Sequence, residues 1–267
     1  MTDTIVLFDM DGTLTEPREA SNPKLLHTPL LKLINLGVHI GIITGSDENY
    51  LTEQMGSFLT QSSCRYYTHL LPCNGTKYYK PPQSSDDTYK LDYSVSMKER
   101  LGEKNYRILM QELILSQVDM SHEGLPLTGH FINARGSTIN WCPIGRNANK
   151  EERELFTKVD AERGFRKRVI DELKAMLKQK NILNNLTIKF GGDTSFDIYP
   201  RGWDKTYGLR HFPKWNVWFV GDRCSPKGND YEIYEACKIN NQAYETKGPE
   251  ETVVIIDKIV NRIQEKL

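Results

Sequence analysis

Apolar residues along this chain fall into short unbroken runs separated by longer amphipathic stretches. Ile5-Val6-Leu7-Phe8 is one such run, as expected of a strand buried on both faces of a parallel sheet. Pro23 to Leu36 carries Leu25, Leu26, Leu30, Leu31, Ile34 and Leu36 at near-helical spacing, and Gly37 ends it. Val38 to Ile43 is a second strand-like run, so the order predicts a right-handed parallel strand–helix–strand unit. Asp47 to Leu59 reads as a short helix, and Leu70 to Tyr79, with Asn74-Gly75 inside it, as strand–turn–strand. The polar stretch Pro81 to Thr88 breaks the pattern and predicts a domain boundary. Beyond it come a helix over about 98–118, alternation over Gly129–Pro143, two charged helices within Lys150–Lys180 that break near Gly164, and a strand over Leu186–Pro200. Val217 to Gly221 repeats the opening apolar run, and about 249–266 is an amphipathic terminal helix with Pro249 near its start. The chain thus divides into an α/β core in two parts, 1–83 and 199–267, and an inserted α+β unit, 84–198.

Composition narrows the class. Acidic and basic residues cancel at 35 each, which gives no electrostatic case for nucleic acid or an anionic membrane. The opening residues do not resemble a secretory signal, and no run approaches the ~18 apolar residues that cross a bilayer. Five widely spaced cysteines without a Cys-x-x-Cys read as buried free thiols, so the expected compartment is reducing and cytoplasmic.

Chemistry collects at the ends of the strand runs. Asp9 and Asp11 follow Phe8 directly, and residues two apart in an extended segment point the same way, so both carboxylates are expected at the strand's C-terminal end. That edge is where open α/β sheets bind ligands. Two such carboxylates repel, and a divalent cation such as Mg2+ is the simplest stabiliser. Thr44 or Ser46, after the second strand, would lie beside them and suit a phosphate oxygen, although Ser and Asp here also fit a plain helix cap. Lys205 and Asp222, the latter followed by the Gly228–Asp230 loop, complete a set suited to phosphoryl transfer, with Asp222 finishing the metal site.

Asp9-Met10-Asp11-Gly12-Thr13-Leu14-Thr15 resembles the first motif of the haloacid dehalogenase superfamily. The stretches Arg135-Gly136-Ser137, Trp141 to Arg146, Glu151-Glu152-Arg153 and Gly191 to Lys205 resemble, more narrowly, the eukaryotic-type phosphomannomutase family, and the likeness runs over nearly the whole chain. The resemblance implies a haloacid-dehalogenase-like Rossmannoid core with an inserted cap domain. It implies Asp9 as nucleophile, Asp11 as general acid/base, and Mg2+ held by Asp9, the backbone carbonyl of Asp11, and Asp222. It implies phosphate or sugar contacts from Arg18, Arg135, Arg146, Arg153, Ser195 and Asp197, with Asp193 acting through its backbone. Three spaced arginines on an insert also make independent sense as a clamp for a second phosphate, while an exposed salt bridge is an equal reading for Arg153 among its glutamates.

The implied activity interconverts mannose 6-phosphate and mannose 1-phosphate through an aspartyl phosphate, with a hexose 1,6-bisphosphate as intermediate and activator, and so supplies GDP-mannose synthesis. A sugar-phosphate phosphatase on the same core is the alternative. The implied assembly is a homodimer through the cap. Ala236 and Ile239 depart from the family where it holds a second, structural cation, since neither offers a ligating side chain.

Overall fold

The computed structural model describes residues 3–265. The chain divides into two compact units, the first comprising residues up to Ser94 and from Trp203 onward, the second Val95–Gly202.

The first unit opens with β1 (Thr4–Phe8), α1 (Pro23–Asn35), β2 (Val38–Ile43), α2 (Glu48–Gln61), β3 (Thr68–Leu71), β4 (Lys77–Lys80) and β5 (Lys90–Ser94). The second unit holds α3 (Met97–Leu101), α4 (Glu103–Met120), β6 (Ile132–Ala134), β7 (Ile139–Trp141), α5 (Lys150–Arg163), α6 (Phe165–Gln179), β8 (Leu186–Gly191) and β9 (Ser195–Pro200). The chain returns to the first unit through a 3-10 segment (Lys205–His211), then β10 (Asn216–Gly221), α7 (Tyr231–Lys238), β11 (Ala243–Glu245) and α8 (Pro249–Gln264).

The first unit is a seven-stranded sheet in the order β11-β10-β1-β2-β3-β4-β5. β1 is third in this order, inside the sheet and parallel to both β10 and β2. Its alternate residues serve different cores. Val6 and Phe8 pack with Leu26, Leu30 and Leu33 of α1 and with Ile255, Ile256 and Ile259 of α8. Ile5 and Leu7 pack on the other face with Phe212, Phe219, Ile233 and Cys237. Each such buried side chain contributes about 1.5–3 kcal/mol. A strand enclosed on both faces therefore has a fixed register, and its last residue delivers Asp9 to one place.

The first boundary differs from the expected 83/84. Lys90–Ser94 pairs antiparallel with Lys77–Lys80 and extends the core sheet, so the chain leaves the core after Ser94. The polar loop before it is a connection within one sheet. The second boundary lies after Gly202 rather than after 198, because 198 falls inside β9. The expected strand Leu186–Pro200 is a hairpin, and Gly129–Pro143 likewise contains two short strands with a turn between them. The second unit is then a four-stranded antiparallel sheet, β6-β7-β9-β8, with its helices. α5 and α6 meet at Gly164, as the charged stretch suggests. The final residue of the expected 249–266 helix lies outside the described residues. All five cysteines are free and buried. Among the described residues no helix is long and apolar enough to cross a membrane.

Candidate active site

β1 ends at Phe8, and Asp9 follows with its amide donating to the Val220 carbonyl of β10 at 2.9 Å. This ties the first catalytic candidate to the β1–β10 strand pair. The Asp9 carboxylate is buried and accepts a hydrogen bond from Lys205 Nζ. Lys205 is itself 1% exposed and also donates to Asp230. Its ammonium therefore sits between two buried carboxylates. Asp222 joins them: one oxygen each of Asp9, Asp222 and Asp230 lies within 4.8 Å of the others.

Asp230 is the residue that the sequence reading underused. An Asp after Gly-Asn and before a helix looks like an N-cap, yet its side chain caps nothing. It accepts from Lys205 and from the Arg223 amide at 3.1 Å instead. Two short-range clues, Gly228-Asn229 and the helix start, hid a partner 25 residues away.

Asp11 departs from the expected pairing. The chain leaves the extended conformation after β1 and turns tightly, with the Met10 carbonyl accepting from the amides of Thr13, Leu14 and Thr15. Strand alternation no longer applies there. The Asp11 carboxylate is not one of the three clustered acids; its Oδ1 accepts from the Tyr50 hydroxyl and from the Arg18 amide, both at 3.0 Å. Arg18 thus meets the site through its backbone, in a left-handed conformation at φ 67°, and the residue as a whole is exposed. Gly12 is required by the same turn. Its φ is +77°, and a Cβ there would lie 2.4 Å from Asp222 Oδ2.

Thr44 is buried at the end of β2, and its Oγ1 accepts from the Ser46 amide at 3.1 Å. Capping of α2 falls to Asp47, which accepts from the Tyr50 amide, so Ser46 is not the cap. The same capped helix carries Tyr50 to Asp11.

The charges explain one another. Burial pushes the Asp9 carboxyl well above the usual range, the negative charge of Asp230 adds to this, and Lys205 pulls it back. Asp222 is raised to about 6, by burial first and Asp230 second. Burial alone would lower Lys205, but Asp230 and Asp9 together hold it above its ordinary value. The three acids outnumber the two cations beside them, Lys205 and Arg223, whose Nε lies 3.7 Å from Asp222 Oδ2. Asp222 Oδ1 and Asn229 Oδ1 are buried oxygens without a hydrogen-bond partner. Crowded carboxylates and donor-less oxygens fit a hard divalent cation.

The second unit gathers its own polar cluster. Arg146 Nη1 donates to Asn140 Oδ1 at 2.9 Å, and Asn140 Nδ2 donates to Asp197 Oδ1 at 2.8 Å and to Ser195 Oγ at 3.0 Å. The register brings this about, since Asn140 of β7 stands opposite Asp197 of β9. Arg153 reaches across to the turn and hairpin beside α5. It donates to the carbonyls of Ala148 and Arg146, both at 2.8 Å, and to Thr194 Oγ1 at 3.0 Å, bracing the Arg146 turn against the β8–β9 hairpin. Arg135 is buried in the β6–β7 turn, and Asp193 is exposed in the hairpin turn. Asn140 was missed from sequence. A buried polar residue between Ile139 and Trp141 on a strand was its signal.

A largely parallel sheet with the lysine-bound Asp9 at the end of β1, further acids after β10 and an insert after β5 is the arrangement of the haloacid dehalogenase fold. Two solved structures have this fold. The chain covers 98% of the sucrose-phosphatase from Synechocystis sp. PCC6803 and 98% of itself is covered, at TM-score 0.53 and 13% identity. The Plasmodium falciparum IMP-nucleotidase, in an IMP-bound truncated form, matches over 97% of this chain and 68% of its own, at TM-score 0.60 and 15% identity. Sequence goes further. The model of the eukaryotic phosphomannomutase family matches residues 28–262, and the chain belongs to that family. It is 34% identical over 251 residues to a phosphomannomutase from Solanum lycopersicum, covering 93% of this chain and 91% of the relative. It is 36% identical over 236 residues to one from Dendrobium officinale, covering 87% and 85%.

Proposed function

We propose that this chain is a phosphomannomutase, interconverting mannose 6-phosphate and mannose 1-phosphate. The observation that carries the reading is the buried Asp9 carboxylate held by Lys205 at the end of β1, in a chain of this family. Asp9 is the nucleophile: its free oxygen attacks the phosphorus, and the P–O bond to the enzyme forms as the sugar's P–O bond breaks. Asp11 gives the departing sugar oxygen its proton and takes it back in the return step. Tyr50 orients Asp11 for this exchange. Lys205 offsets negative charge that collects at Asp9. Thr44 and Ser46 bind phosphate oxygens. Asp9, the Asp11 carbonyl and Asp222 are the residues that would hold Mg2+, which when bound supplies positive charge between carboxylate and phosphate. Arg135, Arg146 and Arg153 take the phosphate that is not reacting, with Ser195, Asp197 and the Asp193 backbone on the sugar side. A hexose 1,6-bisphosphate is the intermediate and the activator, and the product mannose 1-phosphate serves GDP-mannose synthesis.

Phosphorus NMR tests this with Mg2+, mannose 1-phosphate and a trace of hexose 1,6-bisphosphate. Mannose 6-phosphate should appear without inorganic phosphate, and Asp9→Asn should reduce conversion to background. Inorganic phosphate alone would replace the mutase by a phosphatase on the same core. Two copies are further proposed to associate through the second unit, on the support of exposed Ile114, Leu115 and Val118 on α4. Sedimentation of a monomer at micromolar concentration would refute this.

A further inference from the structure

The first unit has a cleft of about 700 Å³ at the sheet edge opposite Asp9. Asp3 precedes β1 and lines it, while Asp9 follows β1; six strand-like steps place the two edges roughly 20 Å apart. The volume is that of a small-molecule site. His39 stands in it between aromatic rings, with the Tyr67 centroid at 5.8 Å and the Trp215 centroid at 5.0 Å, both edge-on.

Behind His39 runs a hydrogen-bond relay. His39 Nδ1 lies 3.0 Å from His69 Nε2, and His69 Nδ1 lies 2.8 Å from the Tyr78 hydroxyl. Burial holds both rings neutral: His39 is lowered and His69 is brought to about 3. A neutral relay has two polarities. If Tyr78 donates to His69 and His69 to His39, then His39 Nε2–H is a donor for the cleft. If the direction reverses, His39 Nε2 is an acceptor. One position therefore suits either edge group of a flat heterocycle. The ionic lining is one lysine, Lys80, against two aspartates, Asp3 and Asp92, and Lys80 is already 2.8 Å from Asp92. That balance disfavours a phosphate.

We propose that this cleft binds an uncharged planar heterocycle of the nucleobase or nucleoside class, stacked among Tyr67, Trp215 and His39 and read by the histidine relay. The assignment is independent of the activity at Asp9. Trp215 reports on it, because it lines the cleft whereas Trp141, Trp203 and Trp218 do not. Adenosine, inosine and cytidine are each titrated to about 5 mM against tryptophan fluorescence, with adenosine 5′-monophosphate, benzyl alcohol and mannose 1-phosphate as comparators. A saturable change is expected for at least one nucleoside. Its affinity should exceed those of the monophosphate and benzyl alcohol, fall about tenfold or more in His39→Leu and in Tyr67→Ala, and withstand mannose 1-phosphate. Tyr67 is 41% exposed, so its truncation leaves the core intact should His39→Leu fail to fold. No saturation with any nucleoside would overturn the proposal. So would equal binding of benzyl alcohol, binding that Tyr67→Ala does not change, or displacement by mannose 1-phosphate.

Discussion

Lys205 illustrates what one residue carries here. Its ammonium is ion-paired with both Asp9 and Asp230, and none of its side chain is exposed. Lys205→Met would leave the buried Asp9 and Asp230 carboxylates without the ammonium between them, with Arg223 beside Asp222 alone. Removing one partner of a buried pair costs about 3–5 kcal/mol. The variant's unfolding free energy in urea should therefore be lower than the parent's by that amount, and millimolar Mg2+ should recover more stability in the variant than in the parent. Equal recovery in both would argue against a shared cation and lysine field. Asp9, Lys205 and Asp222 were legible because each stands at the end of an apolar run or within a dense motif. Asp230, Asn140 and Tyr50 were not. Tyr50 reaches Asp11 across 39 residues, and Asn140 reaches Asp197 across 57. Nothing local distinguishes such a tyrosine or asparagine from one that faces solvent.

At the scale of elements, the legible parts were those whose burial leaves a period. β1, β2, α1 and the α5–α6 break at Gly164 all do so. β5 did not, because on this edge strand Leu91 is exposed and only Tyr93 packs against the core, too short an apolar face to announce it. Turns carry their signal in glycine, and two positions can be compared. Gly145 has φ +90°, and a Cβ there would lie 2.3 Å from the Gly129 carbonyl oxygen. Gly164 has φ +58° with nothing within 4 Å. Gly164→Ala should cost about 1 kcal/mol, the left-handed penalty alone. Gly145→Ala meets backbone as well, so it should cost about 3 kcal/mol or more and displace Arg146, which follows directly. Urea midpoints check the first part, and the Kd for mannose 1-phosphate the second. Equal costs at both sites would mean that the Gly145 turn opens freely, and Arg146 would then not be held by it.

For the molecule as a whole, the acid response follows from groups on the sheet edge remote from Asp9. Burial lowers His69 to about 3, and nearby His39, Lys80 and His211 add to the effect. His39 and His211 are lowered too, again chiefly by burial. A depressed histidine contributes its full stability above the unfolded pKa of 6.5, and this is lost as pH falls toward the folded value. For His69 the span from 6.5 to about 3 corresponds to roughly 4–5 kcal/mol in all. Asp222, like the raised Asp9, works in the opposite sense. Raised to about 6, it favours the folded state as it takes a proton between pH 6 and 4, so it partly masks the histidines when no cation is present. A saturating cation keeps Asp222 ionised and removes that mask. With Mg2+, stability should therefore fall by about 2 kcal/mol from His69 alone between pH 7 and 5, and by less in chelator. His69→Gln should flatten the slope in Mg2+ while leaving the difference between Mg2+ and chelator in place. Retention of the parent slope in His69→Gln would move the acid sensitivity away from this cluster. Loss of the Mg2+ difference would instead separate Asp222 from the cation.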